Sequence, residues 1–242
     1  MNSENKKLDL TNTVVANNQI KSKRYVRFGE KSDGYPKILF AGNSMSWHAP
    51  KSDIGWSGDW GMAASKAEND YVHQTIEILE KKYSDVSYCI AQCAYWEVNM
   101  NTNVFDEYKP ACEYMPDVLV MILGENINEG EHTQDELSNE FIKLIKFLTN
   151  NRKDVLVLMS KPFLWEKSIV SAAIDKAADT IGAIVMDMSA LADDLSMRAI
   201  GKFGHSGVEA HPGDKGMHKI AEIIAERIEG NIKDKKINPT ER

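Results

Sequence analysis

Short apolar runs alternate with amphipathic segments along most of this chain. Five runs have the length of buried strands and end in polar or glycine-containing turns. They cover residues 37–41, 85–92, 116–123, 154–160 and 183–188. Because most of these runs are apolar throughout rather than alternating, the pattern predicts strands buried on both faces of a sheet. A shorter run at residues 24–28 is compatible with an edge strand.

The segments between the runs carry apolar residues at helical spacing. The pattern predicts a long helix from Gly61 to about Tyr83, and a last helix from about Asp214 that ends before Gly230. A capping-box spacing at Thr133 predicts the start of another helix that reaches Leu148. A further helix, over residues 169–181, is expected to end at Gly182. Strands and helices therefore alternate without interruption.

This alternation predicts the α/β class, in the form of a three-layer α/β/α sandwich around a five-stranded parallel sheet. Ligands of such folds bind at the carboxyl ends of the strands, near the point where the strand order reverses. The residues that directly follow each strand are therefore the place to look for chemistry. The chain divides into a polar leader (residues 1–23), one domain (residues 24–230) and a solvated tail (residues 231–242).

Charge and composition narrow the function classes. The 242 residues include 29 Lys and Arg against 36 Asp and Glu, for a net charge of -7, with both signs interspersed. Nucleic acid is therefore not an expected partner. Neither a signal peptide nor an apolar run of membrane-spanning length is found, so a soluble cytoplasmic protein is expected, with no membrane partner. The composition does not indicate an oligomeric state.

Two residue types that often bind metals carry no metal-binding pattern here. The three cysteines, Cys89, Cys93 and Cys112, form no second pair that would complete a zinc site, so reduced thiols are expected. No histidine pair has a ligand spacing such as H-E-x-x-H. Neither a metal nor any other cofactor is expected.

Four polar or glycine positions lie where an acyl-transfer site would need them. Such a site needs a nucleophile, a base and fixed donors for the oxyanion. Ser44 follows the first core strand in the stretch FAGNSMSWHAP, where Ser46 is a competing nucleophile. His211 precedes the last helix, Asn126 follows the third core strand, and Gly61 offers an unobstructed backbone N–H.

These blocks resemble those of the SGNH hydrolases, also called GDSL esterases and lipases, whose sheet is flavodoxin-like. Gly42-Asn43-Ser44 is similar to the Gly-Asp-Ser block, Gly124-Glu125-Asn126 to the Gly-x-Asn block, and His211-Pro212 to the histidine block. The resemblance implies Ser44 as nucleophile and His211 as base. It also implies an oxyanion hole formed by the N–H groups of Ser44 and Gly61 and the amide of Asn126.

One position departs from the family pattern. The family usually has an aspartate three residues before the histidine, where this chain has Val208. That aspartate orients the imidazole and stabilises its cationic form. Glu209, Asp187 or a backbone carbonyl is therefore a candidate for the group that orients His211, and Glu209 is the candidate triad acid. A weaker base or a Ser-His dyad is the expected consequence.

The resemblance implies a serine esterase that removes short acyl groups, including acetyl groups on carbohydrates. Its expected partner is a small-molecule or carbohydrate ester. Trp96, Glu97 and His48 follow predicted strands and are candidates for the substrate pocket. Two alternatives stay open: an inactive relative that binds a glycan or acyl ligand, suggested by Val208, and a lysophospholipase or thioesterase.

Overall fold

The computed structural model describes residues 25–31, 33–100 and 104–232. The predicted leader, residues 1–23, and residues 233–242 of the predicted tail lie outside the described residues.

A single sheet of six strands crosses the domain in the order β1-β3-β2-β4-β5-β6. The strands are β1 (Val26–Phe28), β2 (Lys37–Gly42), β3 (Ser87–Gln92), β4 (Val118–Ile122), β5 (Leu156–Ser160) and β6 (Ile184–Met186). All neighbouring pairs are parallel except β1 with β3, which is antiparallel. The predicted five-stranded parallel sheet is confirmed, and the predicted edge strand adds a sixth, antiparallel member.

Helices cover both faces of the sheet. They are α1 (Tyr71–Glu80), α2 (Ala94–Val98), α3 (Lys109–Glu113), α4 (Gln134–Leu148), α5 (Ser168–Ile181), α6 (Ser189–Asp193), α7 (Ser206–Glu209) and α8 (Asp214–Asn231). Apolar residues of α1 and α8 pack on one face, and those of α4 and α5 pack on the other. The predicted three-layer α/β/α class is therefore confirmed. None of the helices in the described ranges combines the length and apolar character needed to cross a membrane.

The central strand β2 is apolar from Ile38 onward because both of its faces are buried. Ile38 and Phe40 point into the layer with α1 and α8, whereas Leu39 and Ala41 point into the layer with α4 and α5. Successive side chains of a strand alternate between the two faces of a sheet, and here both faces are covered. Apart from Lys37 at its start, the strand therefore has no polar side chain, and Asn43 and Ser44 follow directly after it.

The predicted long helix over residues 61–83 is wrong at its start. The helix begins at Tyr71, where the carboxylate of Asp70 accepts a hydrogen bond from the His73 N–H at 2.9 Å. A continuous helix from Gly61 is excluded because Ala63 has a φ of 74°, in the left-handed region, and only a short 3-10 turn (Ala67–Asn69) precedes Asp70. Alanines at helical spacing in this segment instead belong to a loop that packs against the carboxyl end of β2.

The strand order places β2 at the switch point of the sheet. β3 lies on one side of β2 and β4 on the other, so the chain leaves β2 in one direction and later returns on the opposite side. Loops that diverge from such a point leave a crevice above the carboxyl end of the central strand. Ser44 lies two residues beyond β2, at this crevice.

Candidate active site

A tight turn after β2 presents Ser44. The side-chain Oδ1 of Asn43 accepts a hydrogen bond from the Met45 N–H at 3.2 Å. The backbone carbonyl of Asn43 accepts hydrogen bonds from the N–H groups of Ser46 and Trp47. This is the local bonding by which Asn and Asp stabilise turns. Among the described residues, none accepts a hydrogen bond from the N–H of Ser44. The turn therefore leaves one backbone donor beside the Ser44 hydroxyl.

Ser44 and His211 are joined by a short hydrogen bond. The Ser44 Oγ lies 2.6 Å from the Nε2 of His211, and the His211 Nδ1 lies 2.6 Å from the carbonyl oxygen of Gly207. A carbonyl only accepts, so Nδ1 must carry the proton and Nε2 is left to accept the serine O–H. Ser44 is 8% exposed and His211 3%. The pair has the geometry of a nucleophile held by its base.

The Gly207 carbonyl is positioned by the short helix α7. The Nδ1 of His205 accepts a hydrogen bond from the Gly207 N–H at 3.1 Å and caps this helix. Val208 is fully buried against apolar neighbours, so the position where the family has aspartate belongs to the core. Of the three candidate orienting groups, the structure selects a backbone carbonyl.

The prediction of Glu209 as triad acid is wrong. Its carboxylate accepts a hydrogen bond from the Phe203 N–H at 3.3 Å, on the other side of the turn. Asp187 is exposed and accepts a bond from the Ser189 N–H. Within the described ranges, no carboxylate is hydrogen-bonded to His211. Helical geometry explains the failure of Glu209, because α7 brings the carbonyl four residues before His211 against its ring.

The electrostatic surroundings keep His211 neutral. Its pKa is lowered from 6.5 to about 4, chiefly by burial, and the charges of His48, Arg198 and His205 act in the same direction. The Gly207 carbonyl acts in the opposite direction, because it favours the protonated ring. A neutral imidazole at neutral pH is the form that can accept a proton.

Arg198 is a buried cation near this histidine that the sequence did not single out. Its Nη2 donates to the Leu164 carbonyl at 3.0 Å, and its backbone pairs with that of Pro212. Glu125 holds the same loop, because its Oε1 accepts hydrogen bonds from the N–H groups of Phe163 and Leu164. Burial raises the pKa of Glu125 to about 7. Arg198 and Glu125 together attach the loop after β5 to the site.

Glu125 is expected to make folding less favourable as the pH rises. Its folded pKa of about 7 exceeds the ordinary glutamate pKa of 4.5, so the folded state retains a proton that the unfolded chain loses. The resulting stabilisation is complete below pH ~4.5 and is lost as the pH passes through 7, for a total of about 3 kcal/mol. Glu125→Gln keeps the amide-accepting Oε1 and should not show this loss.

Chemical denaturation from pH 4.5 to 8 checks this expectation. His211 acts oppositely, because its lowered pKa makes the protein more stable as the pH rises. The wild type alone would mix both effects. The quantity to follow is therefore the difference in unfolding free energy between wild type and Glu125→Gln. This difference should fall across the range, and two parallel curves would contradict the assignment.

The prediction of Gly61 as an oxyanion donor is not supported by the geometry. Its N–H donates to the buried Oδ2 of Asp70 at 3.1 Å and is therefore occupied. Glycine is required at this position because a Cβ would lie 2.5 Å from the Met45 carbonyl oxygen and 2.8 Å from the Asp70 Cβ. The segment is docked on the nucleophile turn by a hydrogen bond from the Met62 N–H to the Ser44 carbonyl. Gly61 thus serves close packing.

Asn126 lies where the sequence predicts, and a buried carboxylate holds it. Its Nδ2 donates to the Oε2 of Glu97 at 2.6 Å. The Oε1 of Glu97 accepts the Gly124 N–H at 2.5 Å and the Asn43 Nδ2 at 3.4 Å. Glu97 is 2% exposed, and burial raises its pKa against the effect of these donors. Glu97 was predicted to line the pocket, but it bonds to Asn126 from behind. The one signal in the sequence for this supporting role is its position shortly after a strand.

The other two predicted pocket residues, Trp96 and His48, have different outcomes. Trp96 is 1% exposed and packs edge to face on Phe141 in the core, so its prediction as a pocket wall is wrong. Trp96 lies in the middle of α2 and is buried in the apolar layer that also contains the side chains of α4. His48 is buried and lies near enough to His211 to lower the pKa of His211. Its contact with a substrate stays a prediction.

The cysteines and the metal question add little to the site. Cys89, Cys93 and Cys112 are free, and burial raises the pKa of each thiol. Protonated buried thiols are unreactive. In the ranges that the structure describes, no three His, Cys, Asp or Glu side chains come together as metal ligands.

Comparisons with known proteins identify the fold. No family model and no curated protein sequence matches the chain. Among solved structures it is similar to a GDSL-like lipase from Parabacteroides merdae, with 17% identity, a TM-score of 0.51, and coverage of 82% of this chain and 96% of that one. It is also similar to a family two carbohydrate esterase from Cellvibrio japonicus, with 14% identity, a TM-score of 0.52 and coverage of 81% and 61%.

A third neighbour is a family two carbohydrate esterase from Clostridium thermocellum in complex with cellohexaose. It has 15% identity and a TM-score of 0.52, and the match covers 81% of this chain and 64% of that one. The chain thus spans less than two thirds of the length of both carbohydrate esterases. At such identities the similarity concerns the arrangement of strands and helices, and on that basis the chain has the SGNH hydrolase fold.

Proposed function

We propose that this protein is a serine esterase that cleaves carboxylic esters with a Ser44–His211 dyad. The observation that carries the proposal is the 2.6 Å contact between the Ser44 Oγ and the His211 Nε2, with the His211 Nδ1 held by the Gly207 carbonyl. A backbone carbonyl supplies the orienting role of a triad acid, because it fixes the tautomer and the ring plane. It brings no negative charge, so the imidazolium formed during the reaction is less stabilised.

The reaction proceeds in two halves. His211 takes the proton of Ser44 as the Oγ attacks the ester carbonyl carbon, and the imidazolium then gives that proton to the leaving alkoxide. Water attacks the acyl-enzyme with His211 again as base, and the acid leaves as Ser44 regains its proton. Each half forms one C–O bond and breaks another, and no cofactor is needed.

The N–H of Ser44 and the amide of Asn126, which Glu97 links to the Ser44 turn, are the two donors that support an oxyanion hole. The Ser44 N–H has no acceptor among the described residues, and Asn126 uses only one of its two amide hydrogens on Glu97. Buried N–H groups without partners are rare in folded proteins, so an unpaired donor beside a nucleophile is a sign of function. We assign the oxyanion to these two groups and not to Gly61.

The proposed substrate class is short acyl esters, including acetyl groups on carbohydrates. Two carbohydrate esterases are among the structural neighbours. Met62, whose N–H bonds to the Ser44 carbonyl, and Val208, three residues before His211, belong with Ala63 to one buried apolar cluster. A small acyl group fits such surroundings better than a long chain.

An acyl-chain series tests the substrate class. Aryl acetate, butyrate and octanoate, an acyl thioester and acetylated oligosaccharides would be compared at equal enzyme concentration. We expect kcat/KM to fall at least about tenfold from acetate to octanoate, the discrimination that a confined pocket gives. Faster octanoate or thioester cleavage would instead indicate a lysophospholipase or thioesterase. An absence of turnover together with an absence of labelling by a fluorophosphonate would favour a binding protein.

A further inference from the structure

A carboxylate buried behind the reacting groups has no role in the Ser-His chemistry. Glu97 lies at the end of α2, and its two oxygens accept three hydrogen bonds, from Asn126, Gly124 and Asn43. Burying a charged carboxylate is unfavourable unless it is fully hydrogen-bonded. Gln would satisfy fewer of these donors without that desolvation cost. A carboxylate at this position, whose three contacts are all N–H donors, therefore calls for a reason.

The chemistry of the Asn126 contact supplies that reason. An asparagine amide has a donating and an accepting end of nearly equal shape, and rotation by half a turn exchanges them. An ionised carboxylate only accepts, so only one orientation of the Asn126 amide bonds to Glu97 at 2.6 Å. The flipped orientation would set the Oδ1 of Asn126 against a carboxylate oxygen. It would also turn an acceptor toward the developing oxyanion.

The same carboxylate reaches the nucleophile turn. Its Oε1 accepts the Asn43 Nδ2, and the Oδ1 of that asparagine accepts the Met45 N–H. The Oε1 of Glu97 also accepts a hydrogen bond from the N–H of Gly124, whose φ of 122° suits glycine. The loops after β2 and β4, which carry Ser44 and Asn126, are therefore tied to one point.

We propose that Glu97 is a positioning residue that holds the Asn126 amide in its donating orientation and sets its spacing from the Ser44 turn. The proposal rests on the proposed esterase function. Glu97 does not touch the reacting atoms and acts through Asn126. This role is additional to those of the nucleophile, the base and the oxyanion donors.

The test uses near-isosteric variants. Glu97→Gln introduces an NH₂ group that can bond the Oδ1 of a flipped Asn126, so kcat should fall about 100-fold, close to the loss of one oxyanion donor, while KM stays within about threefold. Glu97→Asp keeps an acceptor-only group and should recover part of the activity. Glu113→Gln, an exposed carboxylate on α3, is the matched control with unchanged kinetics.

A double-variant cycle separates positioning from a structural role. Asn126→Ala alone should lower kcat about 10²- to 10³-fold. If Glu97 acts through Asn126, adding Glu97→Gln to that variant should cause no further loss beyond about threefold. Multiplicative losses would overturn the proposal, as would a Glu97→Gln kcat within threefold of wild type. If Glu97→Gln does not fold, a Glu97→Asp variant that folds yet shows the full 100-fold loss overturns it.

A readout independent of turnover distinguishes this proposal from the esterase proposal. The side-chain amide signals of Asn126 can be assigned in ¹⁵N NMR spectra by their loss in Asn126→Ala. In wild type, bonding to a carboxylate should shift one amide proton downfield, and Glu97→Gln should remove that shift. Unchanged signals would overturn the positioning role. The shift could be present in wild type and lost in Glu97→Gln although wild type hydrolyses no ester. That result would support the Glu97–Asn126 contact and refute the esterase function.

Discussion

Ser44→Ala is expected to reduce kcat/KM for an aryl acetate on the order of 10⁴-fold or more, to a residual rate set by binding and the oxyanion donors. The reason is chemical, because the Ser44 Oγ is the atom bonded to the His211 Nε2. The substitution removes only a hydroxyl at a position that is 8% exposed, so the fold should persist. Steady-state kinetics and fluorophosphonate labelling measure the effect.

Ser46→Ala is the matched control for this prediction. Ser46 lies in the same turn, but its hydroxyl is buried and bonds to the Tyr71 hydroxyl at 2.5 Å, away from His211. Its loss should lower stability slightly and leave labelling intact. Wild-type turnover by Ser44→Ala, or a loss of labelling in Ser46→Ala alone, would show that Ser44 is not the nucleophile.

His211→Ala is expected to lower kcat/KM by about 10³- to 10⁴-fold, the range over which a positioned general base acts. Without the imidazole, the Ser44 hydroxyl has no group to take its proton at neutral pH. The buried ring leaves a cavity of its own shape, so added imidazole should restore part of the activity. Kinetics with and without imidazole measure both effects, and Glu209→Gln, whose carboxylate does not reach the dyad, should match wild type.

The pH profile checks the same assignment. His211 has a pKa of about 4, so wild-type kcat/KM should be level across the neutral range and fall tenfold per unit only below pH ~4. An unperturbed histidine would give its limit near pH ~6.5. A limit near that value, or activity unchanged in His211→Ala, would refute His211 as the buried base.

The strand positions were predictable because their physical cause is local. Most core strands are buried on both faces, so they appear in the sequence as largely apolar runs that end in a polar or glycine position. The prediction of a helix over residues 61–83 was wrong at its start, although the apolar spacing there is helical. Ala63 has a left-handed φ, and the helix begins only after its N-cap, Asp70. Periodicity records which side chains are buried, and buried loops share that property.

The positions of Ser44 and Asn126 followed from the sequence for a related reason, whereas His211 was identified by the resemblance of its block. Parallel strands bring their carboxyl ends to one edge, so polar residues directly after strands are brought close together. The supporting groups could not be obtained this way. Glu97 and Trp96 are neighbours in the sequence, and the register of one short helix sends the first behind Asn126 and the second into the core.

By itself, the sequence determined the α/β/α layering and the edge of the sheet where chemistry is sought, and it singled out the serine and the histidine that are in contact there. Only the tertiary structure decided which group orients His211, that Gly61 serves packing, and that Glu97 holds Asn126. The physical reason is distance dependence. Burial patterns repeat along the chain, whereas a hydrogen bond depends on atoms within about 3 Å of each other, and such contacts join residues far apart in sequence.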